Sequence, residues 1–173
     1  EDRCPKSHFT YSAKVDSRFT ELLDYISKND VSESTFQDVV WSITDQFPIS
    51  NIIADDQPAM DLRALTASLT GQENDWYQSP QHRTVDSDGN INHETIMITG
   101  NISIKSEIET IIHEEVMDSD GEILFTSPDT PPLRPGNITY TFSLKVKGWK
   151  RGKYSVRVID GSGKELLLNE FNV

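Results

Sequence analysis

The sequence predicts an α+β protein, with an N-terminal three-helix cluster followed by an antiparallel β-sandwich. Three observations carry this. Apolar residues recur at helical spacing from Val15 to Leu69 and alternate, strand-like, from Thr95 onward. Gly- and Asp-containing turn signals separate the alternating segments. The charge also divides: residues 1–82 hold 14 acids and six bases, net −8, and residues 83–173 hold 14 acids and ten bases, net −4. The polar stretch Gln78-Ser79-Pro80-Gln81-His82-Arg83 marks the junction, giving a helical domain at 1–82 and a β domain at 83–173.

The first helix is read from Val15, Phe19, Leu22, Leu23 and Ile26, one face of a 3.6-residue period that stops at Asn29-Asp30. The second opens at Ser34-Thr35-Phe36-Gln37, an S-x-x-Q capping box. It carries Phe36, Val39, Val40, Ile43 and Phe47, and Pro48 ends it. The third starts at Asp56 with Pro58 in its first turn, shows the stripe Leu62, Leu65 and Leu69, and closes at Gly71. Six β-rich segments follow: 95–105, 109–117, 121–126, 137–147, 153–159 and 165–173. Alternation is clearest where Tyr140, Phe142, Leu144 and Val146 interleave with Thr139, Thr141, Ser143 and Lys145. Strands at this spacing are those of a sandwich.

Composition bounds the function. The 173-residue chain is 35% hydrophobic, with three Trp, five Tyr and seven Phe, enough to bury a core without covalent staples. A net charge of −12 repels phosphate backbones and argues against nucleic acid. A single cysteine excludes an internal disulfide and a Cys-rich zinc site. Apolar runs such as Ile96–Ile98 and Leu166–Leu168 are three residues long, so no transmembrane helix is expected. The opening Glu1-Asp2-Arg3-Cys4 lacks Met and reads as a mature or trimmed chain.

Chemical motifs are sparse. His8, His82, His93 and His113 are scattered without ligand spacing, and no G-x-S-x-G elbow or Gly-rich phosphate loop occurs. No cofactor is expected. Asp86-Ser87-Asp88-Gly89-Asn90 and Asp118-Ser119-Asp120-Gly121-Glu122 are shaped like calcium loops, and Asp86, Asp88 and Asn90 are the weak calcium candidates. Aligning the glycine with an EF-hand puts Thr84 or Val116 where the first Asp belongs, so a hairpin turn is the plainer reading. Glu114 and Glu115 are neighbours in a predicted strand and point to opposite faces, so they form no carboxylate pair.

The phrase Gln37-Asp38-Val39-Val40-Trp41, with Leu69-Thr70-Gly71 and Trp76-Tyr77 downstream, resembles the Gln-x-x-(Ile/Val)-Trp signature of bacterial surface thioester domains, over residues 4–77. That resemblance implies a bond between Cys4 and Gln37, 33 residues apart, able to capture nucleophiles as a thioester-bearing adhesin. The alternative for Gln37 is the capping box, with Trp41 packed in the bundle. Pro135-Gly136, Tyr140–Leu144, Gly152–Asp160 and Gly163-Lys164-Glu165-Leu166 resemble the Ig-like modules of flagellar hook-capping proteins and of type 9 secretion sorting domains, over residues 95–173. This second resemblance implies an Ig-like sandwich in an extracytoplasmic setting (secreted, periplasmic or cell surface), with a role in attachment or assembly.

The expectation is therefore a non-enzymatic bacterial surface protein that binds a protein partner, and the enzyme alternative is a small hydrolase with an interdomain site. One docking surface is expected. Lys145, Lys147, Lys150, Arg151, Lys153 and Arg157 form a run of bases uninterrupted by acids, around Trp149. If the flanking strands pair through the 148–152 turn, these bases converge into a positive patch. The patch would suit an acidic partner protein or the acidic helical half, with Trp149 as anchor. A plain solvated face is the other reading.

Overall fold

The computed structural model describes residues 16–85 and 87–173. Three helices precede a set of antiparallel sheets. The first helix, α1 (Ser17–Ile26), begins where the Asp16 carboxylate accepts the backbone N–H of Arg18. The second, α2 (Glu33–Asp45), is capped by Ser32, whose hydroxyl accepts the Thr35 N–H at 3.1 Å. This corrects the expected capping box. The extended residue before the first turn is Ser32, so Ser34 already lies inside the helix and Gln37 is an exposed position on it. The helix stops at Asp45, just before the limit that Pro48 sets at Phe47, because Gln46 turns left-handed at φ 56° and Phe47 N–H bonds Trp41 C=O. A 3₁₀ turn (Ile49–Asn51) leads to α3 (Gln57–Thr70). Asp56 caps α3, Pro58 sits in its first turn, and Gly71 closes it at φ 70°.

The helices bury Leu22, Val39, Ile43, Ile49, Ile52, Leu62 and Ala67 in one core. A fully buried Leu such as Leu22 contributes about 1.5–3 kcal/mol. Leu23, expected on the same stripe, is instead 54% exposed, because the stripe facing α3 is narrower than the apolar pattern. Trp41 also departs from expectation. It is exposed, and its ring meets that of Phe47 edge-on, with centroids 5.8 Å apart. Polar ties complete the unit: Tyr25 Oη donates to Pro58 C=O, and Gln72 bridges the end of α3 to Phe47 and Ile49.

Nine strands follow: β1 (Tyr77–Gln78), β2 (Gln81–Val85), β3 (Ile91–Thr95), β4 (Met97–Ser106), β5 (Ile112–Met117), β6 (Ile123–Thr126), β7 (Gly136–Lys145), β8 (Lys153–Asp160) and β9 (Glu165–Asn172). All pairings are antiparallel. One sheet has the order β1-β4-β7, a second β6-β5-β8-β9, and β2-β3 is a separate hairpin. The first strand residues thus precede position 83. The inner faces of the two larger sheets share one core. From the three-stranded sheet come Ile98, Ile102, Ile104, Phe142 and Leu144; from the four-stranded sheet come Ile112, Val116, Tyr154, Val156, Val158 and Phe171. Alternation along β7, and along β8 as far as Val158, contributes to this, since a one-residue slip would turn the inward side chains of the slipped strand to solvent; beyond Val158 a bulge lets Ile159 be buried as well.

Gly100 marks the tightest point. It pairs with Tyr77 in the β1–β4 ladder and with Phe142 in the β4–β7 ladder. A Cβ placed there would lie 2.5 Å from the Trp76 carbonyl oxygen and 2.9 Å from its ring. The indole fills the space that a side chain would occupy. Its Nε1 donates to Glu170 C=O on β9 at 2.7 Å, and Tyr77 Oη accepts the Asn172 N–H at 3.0 Å. Gly100→Ala is therefore expected to cost roughly 2–3 kcal/mol, since backbone rather than a flexible side chain must move. Urea unfolding measures this, and a loss below about 0.5 kcal/mol would show that the Trp76 segment yields freely.

Candidate functional site: an inter-sheet cleft with a buried acid

The residues of the expected basic patch are dispersed. Lys145 lies on β7 of the three-stranded sheet, whereas Lys153 and Arg157 lie on β8 of the four-stranded sheet, between β5 and β9. The two strands do not pair with each other, so the hairpin that would merge the bases does not form. Arg157 is committed to Glu115 directly across the β5–β8 ladder, Nε to Oε2 2.6 Å, and Lys153 reaches Glu170 at 2.7 Å. Arg151 donates to His93 C=O, and the Gly148 N–H to Glu94, so the intervening turn rests on β3 of its own chain. Trp149, the expected anchor, is half-buried, its ring 5.1 Å from that of Tyr154. Lys145, Lys147 and Lys150 remain exposed.

The other sequence candidates are also separate. Cys4 lies outside the described residues, and Gln37 is exposed on α2. Asp86 lies outside the described residues too, while Asp88 and Asn90 are exposed in the turn between β2 and β3. Among the described residues no three His, Cys, Asp or Glu side chains converge on a metal-sized position. In the second Asp-Gly loop, Asp118 Oδ1 accepts the N–H groups of Asp120 and Glu122, and Gly121 takes φ 82° in a hairpin between β5 and β6.

The sheets leave a cleft of about 450 Å³ between β5, β7 and the segment 127–133 that joins β6 to β7. Its walls are mainly apolar: Ile112, Leu133 and Ile138. The connecting segment is locked against β5 as a surrogate strand. Ser127 N–H donates to Glu114 C=O, Thr130 N–H to Ile112 C=O, and the hydroxyls of Ser127 and Thr130 accept the N–H groups of Glu114 and Ile112. Those hydroxyls are therefore already engaged. At the rim, His113 Nδ1 lies 3.2 Å from Asp129 Oδ1.

Two polar groups remain inside. Glu114 falls between Ile112 and Val116 on the inward alternation of β5, opposite fully buried Val158. Tyr140 holds the matching inward position on β7, opposite Ile102. Its Oη is buried with no hydrogen-bond partner, facing the Glu114 carboxyl without closing a bond of good geometry. Burial pushes the Glu114 carboxyl above the ordinary carboxylate range, and the neighbouring phenol pulls it partly back. Burial first, and the Glu114 charge second, push the Tyr140 phenol up. Sequence reasoning divided Glu114 from Glu115 correctly by face but assigned the inward acid no role. The signal was present as an acid inside the pattern Ile112-x-Glu114-x-Val116.

No protein-family model matches the chain, and no curated protein matches it. Among solved structures, a hypothetical protein from Pyrococcus horikoshii OT3 is similar at 12% identity, covering 56% of this chain and 86% of that one, with a TM-score of 0.24. A likeness at that level carries no argument.

The raised Glu114 carboxyl has a pH consequence. Its folded-state proton is held more tightly than in the unfolded chain. Stability from this group is full below the ordinary carboxylate range and is lost as pH rises through the raised value. Glu114→Gln should therefore melt higher than wild type at pH 7, by roughly 2–4 °C for about 1 kcal/mol. The gap should close towards pH 4. Thermal melts across that range check this, and a gap constant with pH would contradict it.

Proposed function

We propose that the chain is a non-enzymatic, protein-binding component of a bacterial surface structure, secreted, periplasmic or at the cell surface. In this reading the paired sheets are an Ig-like β-sandwich serving attachment or assembly. One observation supports it most. Strand β6 sits at the edge of its sheet with β5 as its only strand neighbour, and it is apolar on both faces. Ile123, Leu124 and Phe125 are 45%, 44% and 40% exposed. Edge strands are ordinarily blunted by charge, proline or cover, because a bare edge templates pairing with another chain. Here Ile123–Thr126 carries no charge and no proline, although the strand is short and bulged at Leu124, where the β5 ladder shifts register. It fits an extended segment of a partner that adds as a further strand, its main chain bonding β6 and its side chains meeting the exposed Ile123, Leu124 and Phe125.

The thioester reading is less favoured, since Gln37 is exposed and a wet thioester hydrolyses. The enzyme alternative would place its chemistry in the cleft, where Glu114 and Tyr140 are half-buried and the neighbouring Ser127 hydroxyl accepts the Glu114 N–H.

Leu124→Lys with Phe125→Lys should abolish partner capture while leaving the fold intact, because both side chains already face solvent. The measurement is cross-linked capture from native envelope fractions, with captured proteins identified by mass. A discrete partner lost at least about tenfold in the variant is expected, a drop of about 1.4 kcal/mol in binding. Equal capture by both proteins would overturn the assignment to β6.

A further inference from the structure

The cleft rests on different observations from the β6 edge, and its chemistry is selective. We propose that it binds a small alkylammonium compound, with the ammonium between the Glu114 carboxyl and the Tyr140 hydroxyl and the alkyl body along Ile112, Leu133 and Ile138. The volume of about 450 Å³ lies within the range of small-molecule sites. The Ser127 and Thr130 hydroxyls each accept a backbone N–H of β5, whereas Glu114 brings the cleft its carboxyl and the Tyr140 hydroxyl has no hydrogen-bond partner. An ionised carboxylate only accepts hydrogen bonds, and a phenol oxygen accepts as well as donates. A group that donates in several directions and carries positive charge satisfies both at once, which describes a primary ammonium.

Other ligand classes fit less well. No Lys or Arg lines the cleft, so an anionic head would meet Glu114 uncompensated. No ion pair involves Glu114 among the described residues, whereas its neighbour Glu115 is paired with Arg157. A neutral alcohol would fill the apolar wall but bring no charge to offset the Glu114 carboxylate. The net charge of −12 adds long-range attraction for cations. The inward acid thus has a physical reason to persist where a leucine would pack more cheaply.

The test is a titration of the full chain with n-hexylammonium, 1-hexanol and hexanoate, followed by backbone amide NMR and calorimetry at constant ionic strength. Saturable shifts centred on Glu114, Ile138 and Tyr140 are expected with hexylammonium. Hexanol should bind at least about tenfold more weakly and hexanoate not at all. Glu114→Gln should remove the preference for hexylammonium over hexanol. Tyr140→Phe, the second variant should Glu114→Gln fold poorly, should weaken hexylammonium severalfold and leave hexanol unchanged. Equal affinity for all three probes, no binding of hexylammonium, shifts centred elsewhere, or a preference that survives both substitutions would each overturn the proposal.

Discussion

The Trp76–Tyr77 segment is the constraint on which the β half depends. It pairs with β4 in one sheet and hydrogen-bonds β9 in the other, through the indole N–H to Glu170 C=O and the Asn172 N–H to the tyrosine oxygen. It does so only because Gly100 leaves room for the indole. Around it the rings of Phe142, Phe171, Tyr154 and Trp149 run in an unbroken relay with centroids 5.1–6.4 Å apart, linking both sheets and the 148–152 turn. Such pairs add about 0.5–1.5 kcal/mol each beyond the area they bury. The same two residues follow directly on the end of the helical unit, where Arg63 reaches Asn74 and Asn51 accepts from Gln78.

Closure on the β1 and β9 side has a counterpart on the other. There the three-stranded sheet ends at β7 while the four-stranded sheet continues past β5 to β6. Among the described residues no aromatic clasp spans that side; a short connecting segment does, held by backbone bonds to β5. The gap left beneath it is the cleft, and the uncovered strand beyond it is β6. The outer faces carry ordinary cross-strand ion pairs such as Glu115 with Arg157, which contribute little where water reaches them. The interior breaks its apolar pattern at Glu114 and Tyr140, where burial makes polarity expensive.

Much of this was legible in the residues. The Asp56 cap of α3 and its Gly71 stop are local signals, and both are present as read, while of the Leu62, Leu65 and Leu69 stripe Leu62 alone is fully buried, beside Ala59, Thr66 and Ala67. The alternation of β7 and β8 likewise reports which side chains face inward. What was hidden is non-local. Two residues are too few to show a period, so β1 is invisible, although it organises the core. The hairpin of β2 and β3 escaped because Gln81, His82, Arg83, Asn92 and His93 are polar on both faces. The pairing expected to gather the basic run is absent for a related reason. Proximity along the chain says nothing of which sheet a strand joins, and β7 and β8 join different ones. The edge character of β6 and the meeting of Glu114 with Tyr140 are products of that pairing.

The coupling between Tyr77 and β9 holds the two sheets closed on the β1 and β9 side. Hydrogen exchange of the Asn172 amide, compared between wild type and Tyr77→Phe, reads it at the bond itself. The bond should protect that amide, and its removal should speed exchange roughly tenfold while Val156 and Val158 on β8 keep their protection. An Asn172 amide that exchanges equally fast in both proteins would contradict the clasp as the closure of the two sheets.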